Sequence, residues 1–597
     1  MQIDRRRALA LLALGTTAPS VAFAKEAVFH GQASFDHGVA SGDPLQDRVI
    51  LWTRITPASQ ADGIPVKWVV AKDAHFKELV TQGVFHTNAG RDFTVKVDVA
   101  GLAPGHDYYY RFQCGKTVSP AGRARTLPQG SVKDVVLAFV TCSLYPNGYF
   151  NAYDHIAQRD RVDAVVALGD YIYEYGAGED DYGMQNGRKL GRIPEPPHEM
   201  VTLADYRMRH ALYKRDKDLQ AAHARCPWIC VWDDHEIAND SWVGGAQNHQ
   251  PKAEGPWLAR EGAALKAYYE WMPIREPEPG HAFEAINRSF RFGDLADLIM
   301  VETRLVARSY QLEYGRAGDI PLAVYEGDTP STRKRVTEKD IIAKVLKAVG
   351  GGGKAPAPYV VGPDPEALQT VLANPERQMM GVRQEQWLAQ TLAASTAAGR
   401  TWQVLGNQVV MARTVAPNLV KTMGAEAVAK VLDALPAAFR PKAQEYVDLY
   451  TYDVPYDLDG WDGYPAARER VYDAIKAAGG NAIVLSGDSH AFWTNELHDA
   501  SGTYVAAEFG TSSITSPAEE DYLPGLEFGR AFMEQNKEVL FCSQRDKGYI
   551  LLTLTREEAK AEYVSVEIMT KPYKATPLAN FRVTPVAGFA PSKIEKI

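Results

Sequence analysis

The sequence predicts an α/β protein with a small all-β domain ahead of it. Three observations lead there. Six apolar runs, at 135–140, 164–168, 228–232, 298–301, 402–405 and 482–485, have the length and the β-branched or aromatic content of strands buried on both faces. Each run ends in polar residues, and ligands bind at the carboxyl ends of strands in open α/β sheets. Before them, 33–128 holds shorter runs separated by turn residues, the texture of a β-sandwich.

At 597 residues the chain is too long for one ordinary core, so two or more domains are expected. Hydrophobic residues at 46% and charged residues at 23% are those of a folded soluble protein. The net charge of -9 argues against electrostatic binding of nucleic acid or an anionic membrane. An anionic substrate must then be drawn by local Arg, Lys or bound metal.

Residues 1–24 read as a targeting signal. Arg5, Arg6 and Arg7 begin it, an apolar segment at 8–18 is too short to span a bilayer, and Ala22-Phe23-Ala24 is an A-x-A cleavage site. The Arg pair followed by Ala-Leu resembles a twin-arginine signal, which implies export of the folded protein by the twin-arginine machinery to the periplasm or beyond; an ordinary secretory signal is the alternative. No later segment has the apolar length of a transmembrane anchor. Five cysteines are too few for a disulfide-built scaffold, and Cys226 and Cys230 could pair with each other, Cys114 or Cys542.

Within the all-β region, strands are expected at 49–52, 66–71, 93–99 and 108–113. The stretch from Gly101 through Pro104 and Gly105 to Tyr108, Tyr109 and Tyr110 looks like the turn and following strand of a fibronectin type III sandwich, whose Tyr anchors a corner. From Asp134 the α/β part begins, with 134–570 as the catalytic domain. The first run ends in Thr141-Cys142-Ser143, 151–158 is a crossover helix, and the second run ends in Gly169-Asp170-Tyr171-Ile172-Tyr173. Helical periodicity at 203–224 leads to the third run. The remaining runs end in Glu302-Thr303-Arg304, in Gly406-Asn407-Gln408 and in Ser486-Gly487-Asp488-Ser489-His490. Residues 176–198 read as a surface loop and 349–365 as a flexible insertion; Gly353-Lys354 lacks the Ser or Thr and the preceding strand of a phosphate loop. Helices are expected at 370–398 and 425–437, two closing strands at 549–554 and 561–568, and a tail at 571–597.

The third run, WICVWDDHEIAN from Trp228 to Asn239, sets two carboxylates and an imidazole against an apolar strand. Burying unpaired charge there costs about several kcal/mol unless a metal or partner neutralises it. The motif alone fits equally a strand end whose Asp233 and Asp234 cap a helix starting near Ile237. The strand ends together widen the set to Cys142, Asp170 with Tyr173, Asp234 with His235 and Asn239, and Asp488 with His490. A thiolate and phenolate suit a softer or more acidic transition metal, and Asp and Asn suit a hard divalent ion, so the set reads as two unlike metals bridged by one carboxylate. Two cations about 3.5 to 4 Å apart form the clamp used for in-line phosphoryl displacement.

GDYIY at 169–173, WDDHEIAN at 232–239 and SGDSH at 486–490, with HGVASGDP at 37–44 and LWTR at 51–54, resemble the PhoD-type alkaline phosphatases, a calcineurin-like metallophosphoesterase branch related to purple acid phosphatases. The resemblance spans nearly the whole chain after residue 24. It implies a four-layer αββα sandwich and the cofactors ferric iron, Fe3+, and one or two calcium ions, Ca2+. Carried over by position, Asp170 becomes the bridging carboxylate, and Cys142, Tyr173 and His490 complete the iron site. Asp234, Asn239 and Asp488 hold calcium, His235 is the general acid or a phosphate donor, and Asp233 supports from behind. Arg304 is a candidate phosphate clamp or a structural salt bridge, and Asn407 a substrate contact or a support.

The expected function is an exported phosphoesterase in which a metal-bound hydroxide or oxide attacks phosphorus. Phosphomonoesters and phosphodiesters are both open as substrates. Ser143 and Ser489 lie near the cluster, but no local base marks either as a covalent nucleophile. A phospholipase D-like phosphodiesterase, a hydrolase of non-phosphate esters, and a secreted polymer-binding protein with an inert hydrolase fold are the alternatives.

Overall fold

The computed structural model describes residues 31–59, 63–179, 181–327, 332–350, 353–588 and 590–597; the targeting signal lies outside them. Two sheets face each other. The first runs, edge to edge, through Glu595–Lys596, Ala575–Val583, Ala559–Val566, Gly548–Thr555, Asp134–Val140, Ala164–Ala167, Trp228–Cys230, Val39–Gly42, Arg48–Arg54 and Thr94–Ala100. The second runs through Arg288–Phe292, Ala296–Met300, Trp402–Gly406, Asn481–Ser486, Tyr504–Gly510, Phe492–His498 and Val539–Ser543. All six expected runs are strands, parallel within each sheet, so their carboxyl ends point the same way.

Alternation along the strands explains the layering. On the Ala296–Met300 strand and its continuation, Leu298 and Met300 pack into the core shared with Leu137, Val166 and Leu552 of the first sheet. Ile299 and Val301 point the other way, against Leu388 and Leu392 of the Gly381–Ala397 helix and Val471 and Ile475 of the Pro465–Ala478 helix. A strand with a period of two thus buries both faces, one on sheet and one on helix. Against the first sheet pack Phe150, Tyr153 and Ile156 around the Asn151–Gln158 helix and Leu219 and Ala222 of Lys217–Arg225. The result is helix, sheet, sheet, helix.

The N-terminal strands close a sandwich around Val49, Leu51, Val66, Tyr110 and Phe112, and the Tyr108 hydroxyl accepts a 2.8 Å bond from the Ala103 amide at its corner. One of its two sheets is the edge of the large catalytic sheet. Gly42 pairs in parallel with Trp228, and the Asp43 amide donates to the Trp228 carbonyl at 3.0 Å. A Cβ on Gly42 would sit 2.2 Å from the Pro273 carbonyl, so only glycine permits that approach. Asp43, Ser41 and His37 are buried in this seam, and Asp43 is held by Arg288 at 2.7 Å and by the Arg275 amide at 2.8 Å.

Four expectations of local structure are corrected. The 203–224 helix is two, Leu203–Lys214 and Lys217–Arg225, because Asp216 caps the second. The surface loop at 176–198 contains a helix, Met184–Leu190. Within 349–365, Tyr359–Pro363 is a strand paired with Leu322–Glu326. The segment after Lys571 is no loose tail, since Ala575–Val583 pairs antiparallel with Ala559–Val566 and extends the first sheet. All five cysteines are buried free thiols.

Candidate metal centre

Local backbone geometry aims the donors. Cys142 (φ 57°), Asp170 (φ 53°), Asp488 (φ 62°) and His490 (φ 58°) all adopt the left-handed conformation that costs a side-chain-bearing residue about 1 kcal/mol or more. Four such residues at three strand ends turn the chain sharply and throw their side chains into one space. Two glycines let those ends meet. A Cβ on Gly169 would lie 2.3 Å from Asp233 Cβ, and one on Gly487 would lie 2.7 Å from Thr141 Oγ1. Glu236 then ties the first sheet's loops together by accepting from the amides of Asp170 at 3.1 Å, Tyr171 at 2.6 Å and Asp233 at 2.9 Å.

Three donor groups result, each with its atoms within 4.8 Å of one another: Cys142, Asp170 and His490; Asp170, Asp234 and His235; and Asp170, Asp233, Asp234 and Asp488. Asp170 belongs to all three. Its Oδ2 lies 3.3 Å from Cys142 Sγ and 3.1 Å from the Tyr173 hydroxyl, which is 3.4 Å from His490 Nε2. Its Oδ1 faces the other way, toward the His235 amide at 3.4 Å. His490 Nδ1 is 2.8 Å from the Pro517 carbonyl, which can only accept, so that nitrogen carries the proton and Nε2 presents its lone pair to the cluster.

The electrostatics call for added positive charge. Burial pushes the Asp170 carboxyl well above its usual range; His235 opposes this, while Asp234, Asp233 and Glu236 reinforce it. Asp488 is raised likewise by burial and by Asp233. Burial and the carboxylates of Asp170 and Asp488 raise the Cys142 thiol, and burial and Asp170 raise Tyr173. Asp233 is pushed up to about 6 by burial despite Arg304, and burial lowers His490 to about 3. Asp233 Oδ2 and Asp234 Oδ1 are buried without a hydrogen-bond partner. Unpaired buried acid oxygens beside a thiol, a phenol and an imidazole lone pair are the donor set a metal pair takes, so the residues fit.

His235 is fixed from behind. Its Nδ1 lies 2.7 Å from Glu174 Oε2, and its ring packs 4.1 Å from that of Tyr173. Burial disfavours the charged imidazole, but Asp234, Glu174 and Asp170 outweigh it and raise its pKa well above the usual value. Glu174 also takes the Asn239 amide at 2.8 Å and Asn248 Nδ2 at 2.9 Å. Asn239 is thereby held beside the centre, half-buried, with its Nδ2 on Gln247 at 3.2 Å. No regular helix follows Asp233 and Asp234; a turn does, in which the Asp234 carbonyl accepts from Ile237 and Ala238 and Asp234 Oδ2 from the Asp240 amide.

Arg304 is fully buried and paired with Asp233, with Asp459 at 2.7 Å and with Asp488 at 3.4 Å, a structural cation behind the carboxylates. Glu302 secures its loop by accepting from the amides of Arg304, Leu305 and Val306. Asn407 does not join the cluster: its amide is consumed by the Val409 carbonyl and the Trp461 indole. Sequence reasoning missed Glu174, Glu236 and Asp459. Glu174 directly follows the GDYIY motif and Glu236 lies inside WDDHEIAN, the one signal that could have found them.

The family descriptions that match are "PhoD-like phosphatase", over residues 137–563, and "PhoD-like phosphatase, N-terminal domain", over 21–128. Alkaline phosphatase D of Bacillus subtilis (strain 168) is 33% identical over 559 residues, covering 90% of this chain and 78% of the relative. The solved structure of PhoD is similar at 31% identity with a TM-score of 0.70, covering 94% of this chain and 92% of that one.

Proposed function

The chain belongs to the PhoD-like phosphatase family and is a phosphoester hydrolase, and on that premise we propose an exported, metal-dependent phosphoesterase whose centre is built on Asp170. One observation carries the reading: all three donor groups share Asp170, whose two oxygens face different partners. Cys142, Tyr173 and His490 would hold iron, and Asp234 and Asp488 with Asn239 would hold calcium, following the softness of each set. Bound there, such ions supply Lewis acidity and positive charge to a phosphate.

The chain's own residues do the rest. His235, oriented by Glu174 through Nδ1, has Nε2 free to protonate the leaving oxygen or to donate to a phosphate oxygen. Ser143 is bonded to the Tyr153 hydroxyl at 2.6 Å and Ser489 accepts from Trp493 at 2.7 Å. Neither is paired with an imidazole or carboxylate among the described residues, which supports attack by water over a phosphorylated serine. Export is supported by Arg5 to Arg7 and Ala22-Phe23-Ala24. Among the described residues no helix is long and apolar enough to cross a membrane.

The test is elemental analysis of protein from its native export route, beside hydrolysis of 4-nitrophenyl phosphate and bis(4-nitrophenyl) phosphate. Iron and calcium with turnover of either ester is expected. Zinc alone would overturn the iron assignment, and full turnover after stripping every metal would overturn the metal dependence.

A further inference from the structure

Asn248 stands behind the proposed acid, outside both donor sets. The hairpin of Ser241–Trp242 and Gly245–Ala246 folds back along the turn that follows Asp234, so that the Asn248 amide donates to the Asn239 carbonyl at 3.2 Å. This brings the Asn248 side chain to Glu174, where Nδ2 donates to Oε1 at 2.9 Å. The second oxygen, Oε2, meets His235 Nδ1 at 2.7 Å. Asn248 thus serves Asn239 with its main chain and the carboxylate behind His235 with its side chain.

The rotation of that carboxylate is the one freedom left to settle. Arg209, itself buried, donates to the carbonyls of Tyr173 and, at 2.8 Å, Tyr175, which fixes the main chain on both sides of Glu174. The carboxylate plane then depends on its hydrogen bonds: His235 on Oε2, and the Asn239 amide at 2.8 Å with Asn248 Nδ2 on Oε1. Two donors on Oε1 keep that oxygen turned away, so Oε2 stays on the imidazole. Asn248 has a rigid support in turn. Its carbonyl accepts from Arg260 Nη1 at 2.8 Å, and Arg260, buried on the Trp257–Trp271 helix, also binds Glu254 at 2.8 Å, Glu199 at 2.7 Å and the Tyr206 hydroxyl at 3.0 Å. That hydroxyl donates to the Ile237 carbonyl at 2.7 Å, in the turn that carries His235. One helix therefore braces the imidazole's loop and the partner that aims it.

Resting on the phosphoesterase reading above, we propose that Asn248 is a positioning residue for the leaving-group acid, which by its side chain holds the Glu174 carboxylate and so sets the direction of His235 Nε2. Proton transfer to a leaving oxygen needs the donor within hydrogen-bond reach and in line, and a partner behind such a donor is worth about ten- to a hundred-fold. The Asn239 amide remains on Oε1 when the Asn248 side chain is removed, so the effect belongs at the lower end of that range.

The test measures kcat of the metal-loaded enzyme for phenyl phosphate and 4-nitrophenyl phosphate in wild type, Asn248→Leu, Asn248→Ala, Glu174→Gln and the double variant Asn248→Leu with Glu174→Gln. Asn248→Leu is expected to lower kcat about ten-fold for phenyl phosphate and less than about three-fold for 4-nitrophenyl phosphate, whose leaving group needs little protonation. Both proposed metals should be retained, because the main-chain bond to Asn239 survives. Asn248→Ala, which leaves room for a water to donate in place of the amide, should show the same order of losses with smaller size, and it decides the matter if leucine is not tolerated. With Glu174→Gln already present, Asn248→Leu should cost less than about two-fold more, since both act through one carboxylate. Equal losses for the two esters, loss of metal in both single variants, or losses that multiply in the double variant would overturn the role. A metal-loaded wild type that hydrolyses neither ester would instead sink the phosphoesterase reading, and this role with it.

Discussion

Asp170 and Tyr171 are neighbours in the chain and face two buried polar regions of opposite character. Asp170 enters the acidic centre, with Asp233, Asp234 and Asp488 around it and Arg304 as the buried guanidinium behind them. Tyr171 enters a basic, aromatic chamber. There its hydroxyl is 2.8 Å from His223 Nε2, which also faces Lys214 Nζ at 2.9 Å. The ammonium lies over the rings of Trp52 and Tyr171 at 4.7 and 5.2 Å, and His210 stacks on Trp271. Burial lowers Lys214 to about 7, so the chamber relieves its charge by releasing one proton. The acidic centre without metal relieves its charge the opposite way, by keeping carboxyls such as Asp170 and Asp488 protonated, because several carboxylates crowd the Arg304 guanidinium and cannot all ionise together. A self-contained polar cluster is structure; one that can ionise only with added cations is a binding site.

The largest break in that contrast is Asp170→Asn. Hydrolysis is expected to fall by on the order of a thousand-fold and the two proposed metals to be lost together, since both donor sets share this side chain. The metal-free variant should melt no lower than metal-free wild type, because the neutral amide replaces a carboxyl that burial and its acidic neighbours keep from ionising. Bound metal with retained turnover would show that Asp170 bridges nothing. Next comes Arg304→Ala, which leaves Asp233 buried without its cation, while Asp459 keeps Arg308. The expected cost is about 3 to 5 kcal/mol in urea unfolding of the metal-free protein. A loss below about 1 kcal/mol would mean that the guanidinium is not what neutralises Asp233.

What was legible in the sequence follows from the same physics. Asp170, Asp234 and Asp488 stood out because a polar residue directly after a fully apolar strand has no packing reason to be there. Their ion partners were less visible. Arg304 could be read as clamp or salt bridge until Asp459, in an irregular loop 155 residues on, appeared at its Nη1. The fusion of the N-terminal sandwich with the catalytic sheet hangs on one residue pair, Gly42 with Trp228, which leaves no periodic signal. The strand Ala575–Val583 was hidden by Pro577, which counts against a strand. Here it sits at a register shift opposite Val564, where the ladder tolerates it.

Glu174→Gln sharpens the comparison at His235, the proposed acid. The amide oxygen can still meet His235 Nδ1, but one of the charges that hold the imidazole protonated, beside those of Asp234 and Asp170, is gone. A drop in kcat of about ten- to a hundred-fold is expected, with the metal proposed at Cys142, Tyr173 and His490 retained. The loss should be greater for alkyl than for nitrophenyl esters, because a good leaving group needs little protonation. An equal loss across leaving groups would make Glu174 a structural residue only.

The smallest effect on activity belongs to Lys214→Met, and it tests the chamber side. Lys214 has a folded pKa of about 7 against an ordinary 10.5, so between those values the unfolded chain binds a proton that the folded chain does not. Wild-type stability should therefore gain from this group as pH rises from about 7 to about 10.5, with the full penalty present below about 7. The gain is on the order of a few kcal/mol for a fully buried amine. Lys214→Met should flatten that stretch of the urea-stability profile while changing kcat/KM by less than about two-fold, since the chamber and the centre act independently. A variant with wild-type pH dependence would place the proton elsewhere. One that lost activity as Asp170→Asn does would show that the strand end between Asp170 and Tyr171 couples the two regions.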